Sequence, residues 1–86
     1  MDEFKRTIQK NMLHIVYFGA SWCTNCQTIK EKLATIEHLS YDVIEDEEIA
    51  DYCGIIQIPT IEIWKSGKIV EKLQGSTKCM NYLENN

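Results

Sequence analysis

Apolar residues along this chain come in short runs whose spacing changes from one segment to the next, and the spacing predicts a sequence of elements. Residues 2–10 place Phe4 and Ile8 four apart, as on one face of a short amphipathic helix. Leu13 to Phe18 is a nearly continuous apolar run rich in β-branched and aromatic residues, which suits a strand covered on both faces. Gly19-Ala20-Ser21-Trp22 breaks it. From Cys23 to about Glu37 the period turns helical: Cys26, Ile29, Leu33 and Ile36 share one face, with Lys30, Glu31, Lys32 and Glu37 largely elsewhere. Tyr41–Ile44 reads as a short strand. Residues 46–52 read as one or two helical turns with acids at the N-terminal end, where the helix dipole favours them, and Gly54 ends them. Thr60–Trp64 and Lys68–Leu73 are two strands joined through Lys65-Ser66-Gly67, a hairpin signal. Residues 76–84 form a last helix, with Ser76 or Thr77 as its expected cap.

The order α-β-α-β-α-β-β-α has a definite architectural meaning. A strand–helix–strand unit over 13–44 requires a parallel pair, and the hairpin over 60–73 adds an antiparallel pair. The fold class is therefore α/β, a four-stranded mixed sheet flanked by helices on both faces. With no repeat, low-complexity tract or linker, residues 1–86 are expected to form a single domain. A chain this short buries only about 60% of its unfolded surface, so the core is thin.

Composition narrows the partners. The chain has 44% hydrophobic and 26% charged residues, which excludes disorder, collagen and coiled coil. A net charge of −4 argues against nucleic acid, which needs a basic face. No apolar run approaches the roughly 20 residues that cross a bilayer. Asp2, Glu3, Lys5, Arg6 and Lys10 leave no apolar h-region of a signal peptide near the start, so a reducing, cytoplasmic setting is expected. The four cysteines, Cys23, Cys26, Cys53 and Cys79, then read as thiols, metal ligands or redox groups rather than a disulfide scaffold.

The chemistry lies in Trp22-Cys23-Thr24-Asn25-Cys26, where the buried strand ends and the helix begins. Two cysteines at this spacing on a first turn lie within bonding reach. The outer one stands beside unpaired backbone N–H groups, which lower a thiol pKa from about 8.5 toward neutrality. Cys23 is therefore the expected nucleophile. Cys26, deeper and on the apolar face, is the expected resolving thiol that displaces the reduced product from a mixed disulfide.

At these residues the chain resembles the thioredoxin family. Ile15–Cys26 (IVYFGASWCTNC) is similar to the family's strand, linker and Trp-Cys-x-x-Cys. Gly54–Thr60 (GIIQIPT) is similar to the segment that ends in its cis-proline, and Lys65–Gly75 (KSGKIVEKLQG) to its final hairpin and following glycine. The resemblance covers roughly residues 12–84. It implies a thioredoxin-like fold and a protein-disulfide reductase cycling through a Cys23–Cys26 disulfide, with no cofactor. Further implications are Pro59 in cis against the disulfide, and Ile58 offering backbone hydrogen bonds to an extended substrate segment. Trp22 and Gly75 would border an apolar groove around Cys23. Protein disulfides are the implied substrates, a thioredoxin-reductase-like donor the implied electron source, and a monomer the expected state.

The chain departs from the family pattern at several positions. Tyr17 stands where a buried aspartate is usual, beneath the resolving thiol, and the lysine that often pairs with it has no counterpart around Ser40–Ile44. Gly19 replaces a common aromatic, Thr24-Asn25 replaces Gly-Pro, and Glu31 replaces a mid-helix proline. The family's usual first strand is also missing, which brings the size nearer that of glutaredoxins. A phenol titrates near 10 and accepts no proton at neutral pH, although it can donate a hydrogen bond to a thiolate. Resolution by Cys26 is thus expected to be slower than where the aspartate is present.

Two other readings compete. A glutaredoxin-like, glutathione-dependent activity is disfavoured by Ile-Pro-Thr and by a lone Gly75 where a Gly-Gly pair is usual. A non-enzymatic interaction module would need neither thiol. A zinc site lacks a second CxxC, since Cys53, Cys79, His14 and His38 lie on separate elements. Cys53 and Cys79 read as small buried hydrophobes, His14 as a boundary residue and His38 as solvent-facing. Trp64 reads as cover for the sheet. The six acids between Asp42 and Asp51 lack calcium-loop spacing and read as a solvated face.

Overall fold

In the computed structural model, which describes residues 1–85, the apolar run becomes the strand β1 (His14–Gly19), flanked on both sides within the sheet. The other elements are α1 (Asp2–Ile8), α2 (Thr24–Leu33), β2 (Leu39–Asp42), α3 (Glu47–Tyr52), β3 (Thr60–Lys65), β4 (Lys68–Gln74) and α4 (Ser76–Glu84). Strand order is β2-β1-β3-β4, parallel between β1 and β2 and antiparallel elsewhere. This is the expected four-stranded mixed sheet.

Strand alternation divides the core in two. Tyr17 of β1 and Ile61 and Ile63 of β3 pack with Cys26, Ile29 and Leu33 of α2 and Cys79 of α4. Val16, Phe18 and Trp64 point the other way, against Phe4 and Ile8 of α1 and Ala50 and Cys53 at α3. Each fully buried Ile or Phe contributes roughly 1.5–3 kcal/mol. The second face is rich in rings: Phe4 meets Tyr41, Tyr52 and Trp64 edge-on, and Tyr52 stacks on Trp64.

Several boundaries differ from the sequence reading. The first helix ends at Ile8 rather than residue 10. The second ends at Leu33 rather than Glu37, closing in tight turns in which Ala34 N–H donates to Glu31 O and Ile36 N–H to Leu33 O. Ile36 thus leaves the helical face. The strand expected over 41–44 runs over Leu39–Asp42, because its partner β1 ends at Gly19 opposite Asp42. Asp42 then stops the strand by turning the chain: its Oδ1 accepts from the Ile44 and Glu45 N–H groups at 2.8 and 3.1 Å. The cap of α4 is Gly75, with no side-chain hydrogen bond, rather than Ser76 or Thr77. His38 is half-buried, not solvent-facing, and its Nδ1 donates to Ile36 O at 2.6 Å.

Candidate active site

The junction of β1 and α2 places the two cysteines differently. Cys23 is the N-cap of α2, in extended conformation, and is half-buried. Its Sγ accepts a hydrogen bond from the Cys26 N–H at 3.2 Å, the bond that a capping side chain makes. Cys26 lies within the first turn, wholly buried. The two form a disulfide, with Cα atoms 5.3 Å apart. Thr24 and Asn25, between them, are exposed.

The second wall is the loop that follows α3. The Ile58–Pro59 peptide bond is cis, and both Ile58 and Cys23 pack on the core cluster that contains Cys26. Pro59 is fully buried. Its carbonyl accepts from the Gly75 N–H at 2.9 Å, while Thr60 Oγ1 donates to Gln57 O at 2.6 Å, so the loop is tied at both ends. Gly75 has φ +94°, and a Cβ there would come within 3.0 Å of the Gln57 side chain. Only glycine meets both conditions without strain. Trp22 is 69% exposed beside Cys23, and on the proline loop Ile56 is 83% exposed. Ile56 was not singled out from the sequence; an isolated isoleucine two residues before an Ile-Pro step is its only signal.

Tyr17 is buried under α2, in the cluster that holds Cys26. Burial first, and then the charges of Cys79 and Asp42, push its phenol above its ordinary pKa, so it keeps its proton. Asp42 is held below the usual carboxylate range, chiefly by the Ile44 and Glu45 N–H groups.

A second polar cluster was missed in the sequence. Glu62 of β3 is wholly buried on the α1/α3 side. Its Oε1 accepts from Trp64 Nε1 at 3.0 Å, and its Oε2 lies 3.1 Å from Lys72 Nζ across the β3–β4 pair. Lys72 also donates to Cys53 O at 3.3 Å and Gly54 O at 3.0 Å, where the loop toward Pro59 begins.

Cys53 and Cys79 are free and buried. Burial, reinforced by Glu62, pushes the Cys53 thiol up to about 12, and burial pushes Cys79 up to about 11. Thiols that stay protonated are poor nucleophiles. Replacing both by serine should leave disulfide reductase activity within a few-fold of the parent in a folded protein. A loss of activity without a loss of circular-dichroism signal would show a second redox site. Among the described residues no group of three or more His, Cys, Asp and Glu side chains could hold a metal. None of the described helices is long and apolar enough to cross a membrane.

Comparison with known proteins gives this arrangement a family. The family model described as Thioredoxin matches residues 1–85. The chain is 30% identical to a thioredoxin of Gallus gallus over 73 residues, covering 77% of this chain and 70% of that one. It is 32% identical to thioredoxin H-type 2 of Nicotiana tabacum over 84 residues, covering 90% and 71%. Among solved structures, the oxidised thioredoxin of Plasmodium falciparum is similar with a TM-score of 0.76 at 30% identity, covering 99% of this chain and 90% of that one. The thioredoxin of Malassezia sympodialis shares the fold with a TM-score of 0.84 at 24% identity, covering 98% and 83%. With its paired cysteines at the strand-to-helix junction, the chain belongs to the thioredoxin family of thiol–disulfide oxidoreductases.

Proposed function

We propose that the protein reduces disulfides in other proteins in the cytoplasm, as a monomer, contributing to electron transport and redox homeostasis. The observation that carries this reading is the unequal burial of the pair: Cys23 caps α2 within reach of solvent, and Cys26 is sealed behind it. In the dithiol form the α2 N-terminus favours a thiolate at Cys23. That thiolate attacks a substrate disulfide, forming a mixed disulfide and releasing one substrate thiolate. Cys26, deprotonated, then attacks Cys23 Sγ and expels the second. The protein is left oxidised, and a dithiol donor of the reductase type restores it.

Ile58, next to the buried Pro59, supplies backbone groups for an extended substrate strand, while Trp22 and Gly75 flank it. Thr24 and Asn25 keep the first turn open to solvent and take no part in bond exchange. The experiment is insulin reduction with dithiothreitol as electron source, run beside a glutathione-coupled disulfide assay. Insulin should precipitate faster with the protein than without it, and the glutathione assay should stay at background. Activity in the second assay alone would make the protein glutaredoxin-like. Activity in neither, with both thiols titratable, would make it an interaction module.

A further inference from the structure

Tyr17 and Gly19 occupy the same face of β1, two residues apart, and they interlock. A Cβ built on Gly19 would collide with the Tyr17 hydroxyl, would lie 2.6 Å from the phenol Cζ, and would stand 3.2 Å from Cys26 Sγ. The phenol therefore fills the space that a side chain at 19 would take, and its oxygen borders the same small gap as the resolving sulfur. Two polar atoms on the borders of one gap can be linked through a water. The hydroxyl has no hydrogen-bond partner among the described residues. Tyr17, with Gly19 and Ala20, is a buried part of the lining of a polar cavity of about 330 Å³ rimmed by the exposed Ser21, Gln27, Lys30, Ser40 and Glu45. A polar space of this size has room for several waters.

We propose that the Tyr17 hydroxyl, admitted by the absence of a side chain at Gly19, is a positioning residue that donates a hydrogen bond to the Cys26 thiolate and opens it to solvent through this cavity. The inference rests on the reading of Cys26 as the resolving thiol. In the mixed disulfide, the Cys26 proton leaves through cavity water to bulk solvent while Tyr17 keeps its own. The Cys26 thiolate then forms a bond to Cys23 Sγ, the bond from Cys23 to the substrate sulfur breaks, and the substrate leaves with the electron pair.

Among the described residues, no histidine lines this cavity. Lys30 of α2, Tyr41 of β2, and Asp42, Glu45 and Asp46 at and beyond its end line the cavity; burial raises the Tyr41 phenol, and the Ile44 and Glu45 N–H groups hold Asp42 low. Cys79 of α4, on the core side of Tyr17, stays protonated with its thiol pushed up to about 11. A change in the pH profile of resolution between pH 6 and 9 thus reports on Cys26.

The test is stopped-flow measurement of the two half-steps from pH 6 to 9 in the full chain, with a protein disulfide as substrate. Tyr17→Phe keeps the ring and removes the donor. Its resolution step should slow about tenfold at pH 7, the lower end of what a hydrogen bond to a charged group is worth, and the midpoint of its pH profile should move up by about one unit. Attack by Cys23 should be unchanged. Gly19→Ala, which keeps the phenol but displaces it, should move the midpoint in the same direction. A Tyr17→Phe protein with an unmoved midpoint overturns the inference. Failure of Cys26→Ser to hold substrate overturns the underlying reading instead, and is measured without touching Tyr17.

Discussion

Cys26→Ser should trap substrate proteins as mixed disulfides on Cys23, and Cys23→Ser should trap none. Without the buried thiol, nothing displaces the substrate from the capping sulfur; without the capping sulfur, the remaining thiol is wholly enclosed and meets no substrate. Insulin turnover should fall to background in both. Non-reducing gels of each variant mixed with a disulfide-bearing protein give the readout. Equal capture by the two would reverse or abolish the assignment, because it would mean that Cys26 becomes accessible by an opening of α2. Both variants should keep the parent's fold, since serine at 23 still caps the helix.

Lys72→Met should destabilise the domain by about 3 kcal/mol, near the low end for breaking a buried ion pair because the lysine side chain is still 29% exposed. The carboxylate of Glu62 would remain wholly enclosed, with Trp64 Nε1 and the Cys53 thiol as donors and no positive charge beside it. The reverse change should be milder. Glu62→Leu leaves a lysine that reaches water and still holds the Cys53 and Gly54 carbonyls. Urea unfolding of the two variants measures the asymmetry, and equal losses would show that the ion pair is not what matters. Lys72 also anchors the start of the loop that leads to Pro59. Its loss should therefore weaken substrate turnover in the fraction that remains folded.

How much of this was legible in the chain depends on the range over which each feature is decided. Trp22-Cys23-Thr24-Asn25-Cys26 was legible because its meaning is local: an apolar run ending in small residues, followed by a helical period, puts the first cysteine at a helix start wherever that helix packs. The hairpin at Ser66-Gly67 and the glycine at 75 are local for the same reason, since their backbone angles exclude most other residues. The end of α2 was not legible. Ile36 continues the apolar period, but the chain must turn after Leu33 to bring Leu39 beside Val16.

Glu62 was illegible for a related reason. In Thr60-Ile61-Glu62-Ile63-Trp64 a strand with its acid turned to water is the simplest reading. Burial follows from α1 and α3 covering that face, and its partner Lys72 is adjacent through the β3–β4 register. Tyr17 and Gly19 could be marked from the sequence as departures from a family pattern, each by itself. That they compensate each other, with the phenol lying where a side chain at 19 would go and the hydroxyl beside Cys26, follows from α2 pressing down on β1. Spacing along the chain thus pointed to the reaction class and to the cysteine pair at the strand-to-helix junction, because a helix terminus and a turn act within a few residues. The surroundings of those sulfurs were settled by packing, because burial and hydrogen-bond partners depend on which surfaces meet.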